Sequence, residues 1–161
     1  MRKRSRRFPI IIGVIILILV IAFGTYILAN NSFLRVKNDA IKVIQKKTDL
    51  HSFSKYYWYN HDSSYFSALG KNKENKNQYA ILNTSNGNLI IVDQNKGISE
   101  SEAKRIVMRD ASKLKEIKNT RLGFYDHKVV WEIAYFDQTN NLNYYTLNFK
   151  NGKIVQKVLK V

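Results

Sequence analysis

The clearest catalytic spacing in the sequence is a serine followed three positions later by a lysine. Ser-x-x-Lys carries the nucleophile of penicillin-interacting enzymes. The spacing occurs at Ser52–Lys55, Ser101–Lys104 and Ser112–Lys115. Those enzymes also carry Ser-Asp-Asn and Lys-Thr-Gly motifs, and this sequence contains neither. Because lysine is frequent here, chance explains the three occurrences, and they do not predict acyl-transfer chemistry.

The other residue types that support catalysis or metal binding are also not arranged for it. The histidines His51, His61 and His127 include no pair four positions apart and no His-Glu-x-x-His motif. Two of them stand in the predicted turns His61-Asp62 and Asp126-His127, where a solvated side chain is favoured over a metal ligand. No Gly-rich phosphate loop occurs, and the absence of cysteine excludes disulfides and thiolate sites. We expect no enzymatic activity, metal or cofactor.

Trp131 and Glu132 lie in an apolar run that is typical of a strand, and Tyr135 follows in the same run. The period-two alternation of strands predicts that Trp131 packs in the core and that Glu132 faces outward. The alternative is that this run presents a face to a partner protein. Trp131, Glu132 and Tyr135 are therefore the candidate partner-binding residues.

The helix that precedes this run has a strong start signal. Ser99 and Glu102 have the spacing of a capping box, in which the serine hydroxyl and the glutamate each satisfy a free backbone N–H of the first turn. Apolar residues then recur at spacings of three and four, which predicts one buried stripe. The stripe consists of Ala103, Ile106, Val107, Ala111 and Leu114.

Short runs that are typical of strands follow the helix that is capped by Ser99. Similar runs follow an earlier predicted helix. The earlier helix is predicted from Phe33 to Thr48, after a polar break at residues 30–32. The predicted strands span residues 51–59, 64–69, 79–82 and 89–92 in the first half, and 116–125, 128–136, 143–149 and 153–161 in the second half. Asn86-Gly87 and Asn151-Gly152 are strong hairpin-turn signals.

Residues 30–161 consist of two halves that match in their order of elements. Asp39-Ala40 corresponds to Glu102-Ala103, 63 positions later, and Asn86-Gly87 corresponds to Asn151-Gly152, 65 positions later. We interpret this as an internal duplication with a period of about 64 residues. The predicted fold is α+β, with two tandem units at residues 30–95 and 96–161, each of which is one helix packed on an antiparallel sheet.

The N-terminal segment predicts a membrane anchor. Residues 1–9 contain five basic residues and no acidic one, and the next twenty, residues 10–29, carry no charge. As a helix this run is about 30 Å long, which is the thickness of a bilayer's hydrocarbon core. Basic residues stay on the cytoplasmic side, so we expect a single-pass protein of the cell membrane with an extracytoplasmic C-terminal part. The alternative, a cleaved signal peptide, normally has a shorter apolar core.

Beyond the predicted anchor, the chain carries 22 lysine and arginine residues against 12 acidic ones, a net charge of +10. Because this part is expected outside the cytoplasm, nucleic acid is a disfavoured partner. An anionic membrane surface or anionic wall polymers suit the charge better. A solvated lysine-rich surface without a dedicated partner explains the composition equally well.

Three stretches carry a resemblance to a known family: residues 99–103 at the start of the second helix, 131–137, and 144–155 at the end. With the basic N-terminus and the anchor, they resemble the TseB-like (YpmB-type) cell-wall elongation regulators of Gram-positive bacteria. The units of that family are similar to PepSY and cystatin-like domains. PepSY repeats usually have aspartate at the position of Asn148.

The resemblance implies a non-enzymatic, membrane-anchored regulator of cell-wall synthesis that binds a penicillin-binding transpeptidase or another wall-synthesis protein. Two other functions remain open from the sequence. One is inhibition of an extracytoplasmic peptidase by a PepSY-like unit. The other is adsorption to anionic wall polymer or lipid.

Overall fold

The structure, a computed structural model, describes the backbone of residues 7–161 and the side chains of residues 11–26 and 34–161. The chain divides into two compact units, Met1–Asp39 and Ala40–Val161. Helix α1 extends from Arg7 to Lys47, so its last turns belong to the second unit. Both sheets lie in the second unit.

Helix α1 is continuous, and the predicted break at residues 30–32 is wrong. Asparagine and serine lower helix propensity by only a few tenths of a kcal/mol each, whereas glycine and proline are the strong breakers. Residues 27–47 contain neither glycine nor proline. Among the described residues, no helix combines the length and the apolar character that a membrane span needs. The transmembrane helix at residues 10–29 therefore stays a prediction.

The second unit contains two four-stranded antiparallel sheets, which confirms the α+β class. In the first sheet the spatial order is β1 (His51–Asn60), β2 (Ser64–Lys71), β3 (Asn77–Asn83) and β4 (Leu89–Asp93). A short 3-10 helix (Gln94–Lys96) and helix α2 (Glu100–Asp110) follow. In the second sheet the order is β5 (Leu114–Tyr125), β6 (Lys128–Asp137), β7 (Leu142–Asn148) and β8 (Ile154–Val158).

Helix α2 begins as the sequence predicts and ends earlier than its apolar stripe suggested. The hydroxyl of Ser99 accepts a hydrogen bond from the Glu102 amide, and the Glu102 carboxylate accepts one from the Ser99 amide, so the capping box is confirmed. The helix ends at Asp110, and Leu114 is the first residue of β5. Leu114 still packs against the core, because apolar spacing reports burial and does not by itself separate a helix from a following strand.

The two predicted Asn-Gly turns are confirmed and share one geometry. Gly87 and Gly152 have positive φ angles of 72° and 69°, which glycine adopts without steric strain. The Gly87 amide donates to the Asn83 carbonyl, and the Gly152 amide donates in the same way to the Asn148 carbonyl. The repeated order of one helix and four strands is therefore matched by a repeated turn.

Asn148 occupies the position where PepSY repeats usually have aspartate. Its side-chain oxygen accepts a hydrogen bond of 2.8 Å from the Lys150 amide. Asn83 makes the equivalent bond of 2.9 Å to the Ser85 amide in the first turn. An amide oxygen supplies the same acceptor as a carboxylate, so the turn does not require a charge at either position.

The first sheet is covered on both faces. Its β2 residues Phe66 and Ala68 pack with Ala40 and Ile44 of helix α1 in the smaller apolar cluster. Side chains on the other face belong to the larger cluster, which also contains residues of α2 and of the second sheet. The larger cluster consists of Tyr57, Leu69, Tyr79, Ile81, Ala103, Val107, Ala111, Leu122, Trp131, Ile133, Tyr135, Tyr145, Leu147 and Phe149.

The edge strands β1 and β5 bring the two sheets into close contact. The ring of Tyr59 lies so near the backbone at Gly123 that a Cβ atom there would collide with it. Beside this contact, the buried hydroxyl of Ser67 donates to the carbonyl of Leu122 at 2.8 Å. A glycine and a small polar residue thus allow two aromatic-rich sheets to approach.

Candidate functional site

Trp131, the first candidate partner-binding residue, is fully buried, as strand alternation predicted. The rings of Tyr57 and Tyr79 from the first sheet meet it edge-to-face, with centroids 5.2 and 5.8 Å away. Its indole N–H donates to the carbonyl of Ile98 at 3.0 Å. Trp131 therefore joins the two sheets and leaves no surface open to a partner.

Glu132 is only 5% exposed, so the prediction that it faces solvent is wrong. Its carboxylate pairs with Arg121, its cross-strand neighbour on β5, at 2.8 Å. Ala134 and Thr146 are buried as well and alternate onto the same face. Alternation predicts the face to which a side chain points, and it does not tell whether other side chains cover that face.

Tyr135, the third candidate, is buried against the ring of Tyr145, with 5.7 Å between the centroids. Burial raises the pKa of Tyr135 to about 12, so its hydroxyl is neutral at physiological pH. The Tyr145 hydroxyl donates to Asp110 at 2.7 Å, and the ammonium of Lys157 lies 4.8 Å from the Tyr145 ring centre. The structure thus places all three predicted residues inside the fold.

Glu100 connects helix α2 to the first sheet through three donors. One carboxylate oxygen accepts from the Lys55 ammonium at 2.9 Å and from the Tyr57 hydroxyl at 3.0 Å. The other accepts from Lys104 at 2.6 Å. Because Tyr57 also contacts Trp131, this ion cluster lies at the rim of the aromatic core.

The electrostatics of this cluster favour the charged carboxylate. Burial alone would raise the pKa of Glu100, but the hydrogen bonds from Lys104, Lys55 and Tyr57 outweigh it and lower the pKa to about 2. The hydrogen bond to Glu100 raises the pKa of Lys55, and burial raises that of Tyr57. The ion cluster therefore persists over the whole physiological pH range.

The lysines of the three Ser-x-x-Lys motifs have structural partners. Lys55 and Lys104 bind Glu100, and Lys115 donates to the side-chain oxygen of Asn140 at 2.7 Å. Within residues 34–161, none of these ammonium groups forms a hydrogen bond to the serine of its own motif. The geometry gives no support to a serine nucleophile at these positions.

The two histidine-containing turns lie together in space. The ring of His61 lies 4.6 Å from the ring of Tyr125, which precedes the second turn, and His61 also contacts Asp62 at 3.0 Å. Within the part of the chain that the structure describes, no three metal-ligating side chains converge. This aromatic contact packs the loops of the two sheets against each other.

A groove that the sequence did not predict lies between β4 and the turn region of the second sheet. Its volume is about 450 Å³. Val92, Val129 and Phe149 form an apolar floor, and three lysines stand at the rim. The lining residues are Val92, Lys96, Lys128, Val129, Asn148, Phe149 and Lys150, and we call this feature the lysine groove.

Backbone hydrogen bonds fix the shape of the lysine groove. The Ile98 amide donates to the Phe149 carbonyl at 2.7 Å, and the Phe149 amide donates to the Val129 carbonyl at 2.9 Å. Gly97 lies directly against the Phe149 ring, where a Cβ atom would collide. The residues of the groove are distant in sequence, so no local pattern predicted it.

Comparisons with known proteins agree with the resemblance found in the sequence. Residues 39–83 match the family model described as the cell wall elongation regulator TseB-like domain. The fold is similar to that of the YpmB protein from Bacillus subtilis, with a TM-score of 0.67 and 21% sequence identity over 76% of this chain and 95% of that chain. No curated protein sequence matches the chain. The TseB-like (YpmB-type) resemblance is thus confirmed for residues 39–83 and for the fold.

Two tyrosines on β1 allow a matched pair of substitutions, each of which removes a single hydroxyl group. Tyr57→Phe removes a donor to a charged acceptor and should lower the free energy of unfolding by roughly 1.5–3 kcal/mol. Tyr59→Phe removes a buried hydroxyl that has no partner among the described residues, so stability should stay equal or rise by about 1 kcal/mol. Urea unfolding of the full chain, followed by tryptophan fluorescence, measures both. Equal losses in the two variants would contradict this assignment of hydrogen bonds.

The Glu100 cluster predicts a pH-dependent contribution to stability. A carboxylate whose pKa is lowered from 4.5 to about 2 stabilises the fold above pH 4.5, and loses this contribution as the pH falls through 2. Glu100→Gln should therefore destabilise the protein by roughly 3 kcal/mol at neutral pH and by progressively less in acid. Unfolding measurements across this pH range test the prediction.

The matched control for this measurement is Glu116→Gln. Glu116 forms an exposed ion pair with Lys118 at 3.5 Å, and such pairs contribute about 0–1 kcal/mol. If Glu100→Gln lowers the free energy of unfolding by the same amount at every pH, the charge of the carboxylate is not the stabilising feature.

Proposed function

We propose that this chain is a membrane-anchored, extracytoplasmic regulator of cell-wall synthesis that acts by binding a penicillin-binding transpeptidase and catalyses no reaction itself. The observation that carries the proposal is the match of residues 39–83 to the cell wall elongation regulator TseB-like domain. The similarity of the fold to YpmB extends over most of the chain and adds support.

The structural hydrogen bonds of the potentially reactive side chains also favour a binding function. Glu100, a half-buried carboxylate with three donors, holds α2 to β1. Asp137 accepts hydrogen bonds from Thr139 and Asn141 and so shapes the turn between β6 and β7. These groups stabilise the scaffold, and the lysine groove offers a preformed surface for a partner.

The membrane anchor of the proposal rests on the N-terminal sequence and on the exposure of its side chains. Large apolar residues along residues 11–26 of helix α1 are mostly exposed, for example Leu19 at 62% and Val20 at 63%. Contact of such a surface with water is unfavourable by about 25 cal/mol per Å², whereas hydrocarbon accommodates it. The basic residues before it favour a cytoplasmic N-terminus.

Because the chain contains no cysteine, single-cysteine variants test this topology cleanly. We expect a membrane-impermeant maleimide to label Lys71→Cys in intact protoplasts, since residue 71 is exposed in the second unit. Ser5→Cys should be labelled only after the membrane is permeabilised. Labelling of Ser5→Cys before permeabilisation, or protection of Lys71→Cys, would contradict the proposed orientation.

The proposed partner is tested by cross-linking in living cells. The affinity-tagged full chain should recover a penicillin-binding transpeptidase, which a fluorescent penicillin identifies on a gel because it acylates the active-site serine. The matched control retains residues 1–39 and carries an unrelated folded domain in place of residues 40–161. Recovery of no wall-synthesis protein with the wild-type chain, or equal recovery with the control, would reject the proposed interaction.

A further inference from the structure

We propose that the lysine groove binds an acidic peptide segment with a bulky apolar side chain, supplied by the protein partner. This inference deepens the proposed function and rests on its premise that the chain acts by binding a protein. The apolar side chain of the segment fills the floor of the groove, and its carboxylates pair with the lysines of the rim.

The floor of the groove is apolar and held in place. Phe149 is packed by Gly97 on one side, and the ring of Tyr79 meets it edge-to-face with centroids 5.9 Å apart. Val92 and Val129 complete the floor. The volume of about 450 Å³ lies in the range of preformed ligand pockets. A rigid floor reduces the conformational entropy that is lost on binding.

The rim of the groove is cationic. Lys128 forms an ion pair with Asp126 at 2.5 Å. Lys96 and Lys150 are exposed and form no ion pair with any other residue that the structure describes. Two ammonium groups without a counter-charge beside an apolar floor complement an anionic ligand that also has an apolar group. Such complementarity contributes mainly to specificity and to the rate of association.

The combination of floor and rim favours a peptide over the other anions of the cell surface. A polyphosphate wall polymer carries charge but no apolar side chain to fill the floor. A bilayer lipid keeps its acyl chains in the membrane and presents only its headgroup. A peptide offers carboxylates and an apolar side chain within a few residues. Strand β4, which contributes Val92, is also an edge strand of its sheet, and peptides add to such edges.

Fluorescence polarisation with the full chain in a non-ionic detergent tests the proposal. The probe is a fluorescein-labelled hexapeptide, Glu-Asp-Phe-Leu-Asp-Glu. Two matched peptides replace either Phe-Leu by Ser-Ser or the four acids by their amides. We expect the first peptide to bind and each replacement to weaken binding at least tenfold.

Protein variants locate the binding. Lys96→Glu combined with Lys150→Glu should weaken binding of the first peptide at least tenfold. The matched control combines Lys71→Glu with Lys73→Glu, which makes the same change of charge at exposed lysines outside the groove. This control should change affinity by less than threefold. Val92→Thr, which keeps the shape of the side chain and adds a hydroxyl to the floor, should weaken binding several-fold. Unchanged urea unfolding confirms that each variant is folded.

Three kinds of result would overturn the proposal. The first is no binding of the acidic apolar peptide at about 1 mM, or equal weakening by the groove and control variants. The second is tighter, groove-dependent binding of inorganic polyphosphate, which assigns the groove to a phosphate polymer. The third is tighter, groove-dependent binding of phosphatidylglycerol vesicles, which assigns it to lipid.

The same variants separate this proposal from the proposed function. If the groove variant recovers the transpeptidase as well as the wild type does, the groove is not the contact, although the function stands. If the wild type recovers no transpeptidase, the proposed partner is wrong, and the peptide measurements still decide whether the groove recognises acidic apolar segments.

Discussion

The contact of the two sheets around Trp131 is the interaction on which the rest of the structure depends. Tyr57 and Tyr79 from the first sheet meet its ring edge-to-face, and residues of α2 belong to the same apolar cluster. Each sheet thus relies on the other to cover its apolar face, since a four-stranded sheet and one short helix bury little surface alone. The repeated elements therefore form one compact unit from Ala40 to Val161.

This contact also determines what the polar residues can do. Glu100 lies at the rim of the aromatic core, where a charged carboxylate is tolerated only with several donors. Lys55, Tyr57 and Lys104 provide them and join α2 to β1. Two lysines of the Ser-x-x-Lys spacings, whose types suggested chemistry in the sequence, are thereby used to hold α2 to the first sheet. The lysine groove, which we propose as a recognition surface, lies at the edge of this contact.

Features with a local cause could be predicted from the sequence, and features that depend on distant packing could not. The capping box at Ser99, the Asn-Gly turns and the eight strands depend on neighbouring residues, and the structure contains all of them. The burial of Glu132 depends on side chains from other strands. The lysine groove unites residues near positions 92, 128 and 150, whose proximity only the packed sheets produce. The polar residues 30–32 predict a break that helix α1 does not have, because asparagine and serine lower helix propensity too little to interrupt a helix.

The two matching Asn-Gly turns differ in the side chains around them, and the lysine groove lies at the second turn. In the first half, the Thr84 amide donates to the Ser64 carbonyl, and in the second half the Phe149 amide donates to the Val129 carbonyl. The backbone hydrogen bonds are therefore equivalent, whereas Thr84 is exposed and Phe149 is buried as the floor of the groove. A serine follows Thr84 and a lysine follows Phe149. The backbone hydrogen bonds keep the turn the same in both halves, while the side chains act differently: the Thr84 hydroxyl also donates to the Ser64 carbonyl at 3.1 Å, and Phe149 packs in the larger apolar cluster. The proposed recognition surface thus lies where the two halves share a backbone and differ in side chains.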